Sequence, residues 1–226
     1  MDLAGPMIHF QNVSKEYDNQ SALHDITLSV EKGEMVFLTG PSGSGKTTLL
    51  KLIYVAELPD HGSITIAGQE ATALRESGIP LIRRHIGVVF QDFRLLDNRN
   101  VFENVSLALR IRSVGEREIK TRVADALKTV NLRHKADSYP RRLSGGEQQR
   151  VVIARAIVAE PTVLLADEPT GNLDAETAEG VMRTFKDIHA KGTTILIATH
   201  NRELFRNSGK RVFRLNAGNL VGEEIC

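Results

Sequence analysis

The chain has almost no cysteine and little net charge, and each shortage argues against a class of protein. Its single cysteine, Cys226, is the last of 226 residues, so no disulfide can form within one chain and a reducing compartment is expected. The formal net charge is +1, whereas a domain that grips a nucleic-acid backbone is usually clearly basic. The composition therefore gives no support to a nucleic-acid partner.

Long apolar runs are also absent from the sequence. The most apolar region, 151–166, is interrupted by Arg155, Glu160 and Pro161, and a membrane-spanning helix needs roughly 20 consecutive apolar residues. The first ten residues contain acidic Asp2 and lack the basic-then-apolar order of a signal peptide. We therefore expect no direct membrane insertion, so that any connection to a membrane runs through a partner protein.

Strand-like and helix-like patterns alternate along the chain and predict an α/β fold. Apolar or alternating runs predict strands at 8–13, 26–30, 35–39, 63–66, 86–90, 163–166 and 194–198. Helical periodicity predicts helices at 46–53, 119–130 and 181–188. We expect one domain, 1–226, in which 1–90 and 160–226 form an α/β core with an N-terminal β subdomain, about 91–143 form a helical insert, and 144–159 form a further helix.

A complete phosphate-binding loop follows the strand at 35–39. The glycines of such a loop let backbone N–H groups surround phosphates, and the helix that starts near Lys46 adds the positive end of its dipole. Lys46 is predicted to reach the β- and γ-phosphates, and Thr47 to offer its hydroxyl to Mg²⁺. The predicted nucleotide-binding residues are Gly40, Pro41, Ser42, Gly43, Ser44, Gly45, Lys46, Thr47 and Thr48.

A second glycine-rich helix start lies at Leu143-Ser-Gly-Gly-Glu-Gln-Gln-Arg150. A helix N-terminus is a second place to hold phosphate, yet one compact chain need not bring its two phosphate sites together. Two copies that face head to tail can do so. We therefore predict an ATPase that works as an ATP-dependent homodimer. The residues predicted to contact the nucleotide of the opposite subunit are Ser144, Gly145, Gly146 and Glu147.

Polar residues at three further strand ends complete the predicted site. Asp167 closes an apolar strand, where its carboxylate can hold the Mg²⁺ shell through water, and adjacent Glu168 can polarise the attacking water as general base. His200 ends another strand on the ligand side of a parallel sheet, within reach of the γ-phosphate. Gln91 follows the strand at 86–90 and is predicted to reach Mg²⁺ or the water. Each of these residue types is often structural or exposed. The catalytic interpretation is preferred because the phosphate loop is present in the same chain.

Together these motifs resemble the nucleotide-binding subunit of an ABC-type ATPase, from Ile8 to about Leu220. The resemblance implies a P-loop NTPase core with an N-terminal antiparallel β subdomain and an inserted α-helical subdomain, with ATP and Mg²⁺ as cofactors. It also implies that Tyr17 stacks on adenine, for which a half-buried surface aromatic is the alternative. The motif names that it assigns are the Walker A loop for 40–47, the Q-loop for Gln91, the signature for 143–147, the Walker B strand for 163–167, the catalytic glutamate for Glu168, the D-loop for Asp174 and the switch histidine for His200.

Within this family the chain is most similar to the bacterial cell-division ATPases of the FtsE type, in stretches such as 90–96 and 165–174. That likeness implies a transmembrane, FtsX-like partner and a peripheral position on the cytoplasmic face of the bacterial inner membrane. The stretch 165–174 is shared with lipoprotein-release and macrolide-efflux ATPases, which stay as alternatives.

Two more distant kinds of ATPase share the motifs. A DNA-repair or chromosome-maintenance head needs a long coiled coil, for which the segment between Gln91 and Ser144 is too short. A ribosome-associated member usually carries two cassettes, whereas this chain has one phosphate loop. Apolar Phe93, Leu95 and Leu96 follow Gln91 closely and are either core residues or part of a cleft for a short helix of the membrane subunit.

Overall fold

Ten strands form two sheets in residues 5–18 and 20–226, the part of the chain that the computed structural model describes. The strands are β1 (Ile8–Tyr17), β2 (Gln20–Val30), β3 (Met35–Thr39), β4 (His61–Ile66), β5 (Gln69–Glu70), β6 (Ile86–Val89), β7 (Val163–Asp167), β8 (Thr194–Ala198), β9 (Arg211–Asn216) and β10 (Asn219–Ile225). The helices are α1 (Lys46–Ile53), α2 (Ile79–Arg83), α3 (Val101–Ile111), α4 (Glu116–Thr129), α5 (Gly145–Ile157) and α6 (Ala175–His189).

The larger sheet has the strand order β10-β9-β3-β8-β7-β6, in which all pairs are parallel except β10 with β9. The smaller sheet, β2-β1-β4-β5, is antiparallel throughout. The predicted α/β core with an antiparallel N-terminal sheet is therefore confirmed. Because the carboxyl ends of parallel strands meet at one edge, the residues that follow β3, β6, β7 and β8 are brought together there.

The larger sheet separates two hydrophobic cores, because successive residues of a strand point to opposite faces. In β8, Ile195 and Ile197 belong to the core that α3–α6 cover, whereas Leu196 and Ala198 belong to the core shared with α1 and the smaller sheet. The same alternation runs through β3 and β7. Each central strand is thus buried on both faces, which explains its continuous apolar sequence.

The predicted helical insert contains α3 and α4, both of which pack against α5. Asn100 begins α3 with a capping box in which its side chain accepts from the Glu103 N–H at 2.8 Å and the Glu103 carboxylate accepts from the Asn100 N–H at 2.9 Å. Buried Ile119, Val123 and Leu127 face inward from α4, as its periodicity predicts. The insert therefore rests on α5, the helix that Ser144 caps.

The hairpin β9–β10 was not predicted from the sequence. Its two-residue turn has both residues in the left-handed region, Ala217 at φ 43° and Gly218 at φ 78°, which is the geometry of a tight hairpin. Ala-Gly is a weaker signal for such a turn than Asn-Gly, and Arg211 and Arg214 interrupt the apolar pattern of β9. In the part of the chain that the structure describes, no helix has both the length and the apolar character needed to cross a membrane.

Candidate active site

A cleft of about 460 Å³ opens at the carboxyl-terminal edge of the larger sheet. Five separate parts of the chain line it, and four of them carry predicted site residues. The lining residues are Ala22, Pro41, Ser42, Gly43, Gly45, Lys46, Thr47, Thr48, Gln91, Asp167, Glu168 and His200. The structure therefore brings the phosphate loop, the acidic pair, the glutamine and the histidine to one place.

The phosphate loop depends on glycine where it enters α1. Gly45 has a φ of 101°, and a Cβ atom there would lie 2.7 Å from the carbonyl oxygen of Ala22 and 2.7 Å from Leu23 Cδ2. Gly45 is also the N-cap of α1 and supplies no side-chain cap. Among the described residues, the N–H groups of Lys46 and Thr47 have no hydrogen-bond acceptor. The start of α1 is therefore open to an anion.

Two buried polar groups in the loop fit a phosphate ligand. The Lys46 side chain donates to the carbonyl oxygens of Gly40 at 2.8 Å and Pro41 at 3.0 Å, and the residue is only 8% exposed. The buried hydroxyl of Ser44 has no hydrogen-bond partner among the described residues. A confined ammonium group beside an unsatisfied hydroxyl is a suitable environment for phosphate oxygens.

Thr47 and Asp167 form a pair of oxygen groups beside the loop. The Thr47 hydroxyl donates to the Asp167 carboxylate at 2.9 Å. Burial raises the pKa of Asp167, the hydrogen bond from Thr47 partly offsets it, and the neighbouring Glu168 raises it further. A hydroxyl, a carboxylate and the amide of Gln91 in one cleft are ligands of the type that Mg²⁺ prefers. These residues therefore fit a magnesium ion.

A sharp turn separates the two adjacent acids. Glu168 has a φ of 44°, and its N–H donates to the carbonyl oxygen of Ala198 at 2.8 Å. Its carboxylate accepts from the Thr199 hydroxyl at 3.0 Å and from the His200 N–H at 3.0 Å, and it lies 2.8 Å from His200 Nδ1. Asp167 therefore faces the phosphate loop, while Glu168 is held by the residues that follow β8.

Tyr17 lies at the end of β1, close to α1 but outside the residues that line the cleft. Its hydroxyl donates to Glu57, and the ammonium nitrogens of Lys15 and Lys51 lie 5.5 and 5.9 Å from its ring centroid. Burial raises its pKa, the Glu57 contact raises it further, and a hydrogen bond with Thr48 opposes both. Because Tyr17 is 37% exposed, its stacking on adenine stays a prediction.

The second glycine-rich start, at α5, lies outside this cleft. Ser144 caps α5: its hydroxyl accepts from the Glu147 N–H at 3.3 Å, and the Glu147 carboxylate accepts from the Ser144 N–H at 2.9 Å. A Cβ on Gly146 would lie 2.2 Å from Thr177 Cγ2, so the start of α5 packs closely against the start of α6. None of the four predicted signature residues lines the described cleft of its own chain.

Asp174 lies in the segment that leads from the end of β7 to α6, beside the start of α5. It caps α6 by accepting from the Thr177 N–H at 2.9 Å and from the Thr177 hydroxyl at 2.6 Å. These hydrogen bonds lower its pKa. The Gly171 N–H, three residues earlier, donates to the carbonyl oxygen of Glu168 at 3.1 Å. A short, hydrogen-bonded segment therefore joins Glu168 to the surface beside the start of α5.

Two contributors to the cleft were missed in the sequence. Thr199 orients Glu168, and the backbone of Ala22 forms one wall. A threonine at the end of a strand gives no distinctive signal, and a backbone contact gives none at all. A second concavity of about 430 Å³, beside the ends of α4 and α6, has a mainly apolar lining and contains none of the motif residues.

Comparison with known proteins identifies the family to which these motifs belong. Residues 23–171 match the model of a family described as ABC transporter. The chain belongs to the ABC transporter family. The protein is therefore an ATPase of that family, and its cleft contains most of the residues that the sequence predicts for nucleotide binding.

Three curated relatives of this ABC cassette are named cell division ATP-binding protein FtsE. The Bacillus subtilis protein is 48% identical over 219 residues, which is 96% of this chain and 96% of the relative. The Escherichia coli protein is 48% identical over 217 residues, covering 96% and 98%. The Mycobacterium tuberculosis protein is 46% identical over 220 residues, covering 96% of each.

Two solved ABC cassettes share the fold over nearly the whole chain. One is the dimeric ATP-binding cassette MJ0796 in a post-hydrolysis state bound to ADP and Pi, with a TM-score of 0.89 and 36% identity, covering 97% of this chain and 98% of that one. The other is cbiO1 from Clostridium perfringens, part of the ABC transporter complex cbiONQ, with a TM-score of 0.91 and 30% identity, covering 98% and 89%.

Proposed function

We propose that this ABC cassette is the ATP-hydrolysing subunit of a bacterial cell-division complex. In this proposal it dimerises on ATP and so moves an FtsX-like transmembrane partner, while it stays peripheral on the cytoplasmic face of the inner membrane. The similarity to three relatives named as cell division ATP-binding proteins supports the biological role. The compact insert of α3 and α4 carries no coiled coil of the kind that a DNA-repair head needs.

The environment of Glu168 is the observation that supports ATP hydrolysis in this cleft. Its carboxylate is held by Thr199 and His200. The neighbouring Asp167 carboxylate instead accepts a hydrogen bond from Thr47 of the phosphate loop. Glu168 then acts as general base on the attacking water, and His200 contacts the γ-phosphate. Hydrolysis by this arrangement needs no covalent intermediate.

The remaining roles follow from the same cleft. Lys46 binds the β- and γ-phosphates, and Thr47, Gln91 and Asp167, the last through water, hold Mg²⁺. When bound, Mg²⁺ neutralises charge on the phosphates. The open N–H groups at the start of α1 bind phosphate oxygens. Tyr17, which lies outside the lining of the cleft, contributes a ring face for adenine.

Dimerisation follows from the position of the second helix start. The start of α5 lies outside the cleft of its own chain, so its glycine N–H groups reach a nucleotide only in another copy. A dimeric cassette among the similar structures supports this arrangement. ATP then joins two subunits by binding to the loop of one and to Ser144, Gly145, Gly146 and Glu147 of the other.

The decisive experiment uses Glu168→Gln. The amide cannot accept the proton of the attacking water, so kcat is expected to fall by about 10²–10⁴-fold, while ATP binding is retained. Sedimentation of this variant is expected to show monomers without nucleotide and dimers with ATP. Turnover at the wild-type rate would require another base, and an equal mass with and without ATP would contradict the dimer.

Lys46→Ala is the matched comparison for binding. Removal of a charged hydrogen-bond donor costs about 1.5–3 kcal/mol, so ATP affinity is expected to fall at least roughly tenfold. This variant fails at binding, whereas Glu168→Gln fails at turnover. Fluorescence titration with a labelled ATP analogue separates the two.

The apolar residues after Gln91 test the membrane partner. Phe93 and Leu95 pack partly against the core that α3–α6 cover, whereas Leu96 is 42% exposed. Leu96→Glu is therefore the cleaner test and is expected to abolish co-purification with the transmembrane subunit while ATP binding persists. Leu58→Glu is the control, because Leu58 is 43% exposed in the segment between α1 and β4. Equal partner binding by both variants would exclude the site.

A further inference from the structure

We propose that Arg155 is a positioning residue for ATP hydrolysis, which holds the segment Gln91–Arg94 against α5 so that Gln91 faces the nucleotide. This inference rests on the proposed role of Gln91 in the cleft. Arg155 lies in the last turn of α5, the helix whose first turn carries the signature. It therefore connects the glutamine of one site to the helix that contacts the other.

The contacts of Arg155 are specific to this segment. Its guanidinium donates to the carbonyl oxygen of Arg94 at 2.6 Å and to that of Phe93 at 2.9 Å. Burial lowers the pKa of Arg155, and the nearby Arg94 lowers it further, so the charge lies in a poorly solvated place where both carbonyls compensate it. Neither carbonyl has another donor among the described residues.

The backbone of the segment needs such support. Arg94 has a φ of 49°, in the left-handed region that costs a non-glycine residue about 1–2 kcal/mol. Strained conformations of this kind persist where the surroundings fix them. Two forked hydrogen bonds to consecutive carbonyls fix the peptide orientation three residues after Gln91.

The other side of the segment is held by the phosphate-loop helix. The Arg94 guanidinium carbon lies 4.1 Å from the centroid of the Phe90 ring, and that ring meets Tyr54 edge to face at 6.0 Å. Tyr54 is the C-cap of α1. The segment that contains Gln91 is therefore held by α5 on one side and by α1 on the other. Because Arg155 makes the contact with α5, a movement of α5 changes the position of Gln91.

The chain contains a matched control for Arg155. Arg112, at the end of α3, also donates from its guanidinium to two backbone carbonyls, those of Arg84 at 2.8 Å and Ala159 at 3.3 Å. Burial lowers its pKa as well. Arg84 and Ala159 precede β6 and β7 at the edge of the sheet opposite the cleft. Loss of the Arg112 contacts thus perturbs the attachment of the insert without touching the segment of Gln91.

The first experiment compares Arg155→Lys with Arg112→Lys. Lysine keeps the positive charge, so both variants are expected to fold, but it cannot donate to two carbonyls in the forked geometry of arginine. The ATPase assays are run at a temperature below the Tm of each variant. Arg155→Lys should lower kcat by at least about fivefold with KM changed less than about twofold, and Arg112→Lys should change kcat by less than about twofold. Equal losses of kcat in the two variants would overturn the proposal.

A double-mutant cycle with Gln91→Ala shows whether Arg155 acts through the glutamine. If it does, Arg155→Lys should reduce kcat by less than about twofold in the Gln91→Ala background, because coupled residues are not additive. Independent, multiplicative losses would refute the role. A wild-type kcat in the Gln91→Ala variant would also refute the positioning role of Arg155, but it would not contradict the proposed role of Glu168 in hydrolysis.

Hydrogen exchange provides a readout that does not depend on turnover. Amides of 91–97 should exchange faster in Arg155→Lys than in Arg112→Lys, with and without a non-hydrolysable ATP analogue. Unchanged exchange in this segment would overturn the proposal even in a protein with normal ATPase activity. Conversely, a wild-type protein without ATPase activity would sink the proposed function, and the exchange result would still decide whether Arg155 holds the segment.

Discussion

The starts of α1 and α5 are both glycine-rich helix N-termini, yet they are built in opposite ways. At α1 the N-cap is Gly45, no side chain caps the helix, and the first turn contains no acidic residue. At α5 the N-cap is Ser144, the capping box is complete, and Glu147 stands in the first turn. The first start is open to an anion, whereas the second already satisfies part of its own N–H groups.

The surroundings of the two starts differ in the same sense. At α1, buried Lys46 lines a cleft of the same chain, and the buried Ser44 hydroxyl has no hydrogen-bond partner in the described part of the chain. At α5, Glu147 lies 3.6 Å from Lys135, and none of the residues 144–147 lines that cleft. We infer that α1 is a phosphate site formed in one chain and that α5 completes a site only in a second copy. The difference gives four predictions.

The largest expected effect is that of Gly45→Ala. The added Cβ would meet Ala22 O and Leu23 Cδ2 at 2.7 Å, with φ at 101°. Left-handed strain and overpacking together cost about 2–5 kcal/mol, so Tm should fall markedly and ATP binding should be lost. Thermal unfolding with and without ATP measures both. A stable variant that binds ATP would remove the distinction between the two starts.

Gly145→Ala is the matched change at α5. A Cβ there would lie 3.6 Å from Leu173 Cδ2, which is ordinary contact, and alanine favours a helix over glycine. The monomer should keep its Tm and its ATP affinity. ATP-dependent dimerisation of the Glu168→Gln protein should weaken, because a methyl group obstructs close approach of the backbone to phosphate. Undiminished dimerisation in sedimentation would show that α5 does not contact nucleotide.

Asp167→Asn tests how much folding stability the protein loses because it buries a carboxylate in the cleft. Because burial raises the pKa of Asp167, this group stabilises the folded protein below the ordinary aspartate pKa, and that contribution is lost as the pH rises through the raised value. Without nucleotide, the variant should therefore unfold at a higher temperature near neutral pH, by about 2–4 °C for each kcal/mol gained. The gain should vanish in acid. A Tm difference independent of pH would contradict this cause.

Glu147→Gln has the smallest expected effect and the opposite sign. The hydrogen bond from the Ser144 N–H lowers the pKa of Glu147, so its contribution to stability is present above the ordinary glutamate pKa and is lost as the pH falls through the lowered value. Glutamine keeps the hydrogen bond but not the charge, which costs about 0.3–1 kcal/mol at a helix N-terminus. The Tm deficit should appear near neutral pH and close in acid.

Much of the fold was predictable because its signals are local. The continuous apolar runs of β3, β7 and β8 show strands buried on both faces, and residues 40–47 match the phosphate-loop pattern in full between a strand and a helix. The hairpin β9–β10 was missed because its turn and its arginines give weak local signals. Its place beside β3 depends on pairing across the whole chain.

The sequence by itself determined the phosphate loop, the acidic pair, the second glycine-rich start and the alternation of elements, because each is a short pattern with a local physical cause. Only the tertiary structure decided that Asp167 faces Thr47 while Glu168 faces His200, and that Arg155 binds the backbone after Gln91. These contacts join residues far apart in the chain, and several use backbone carbonyls that every residue type carries. No sequence pattern marks such acceptors, so they become visible only when the strands and helices pack.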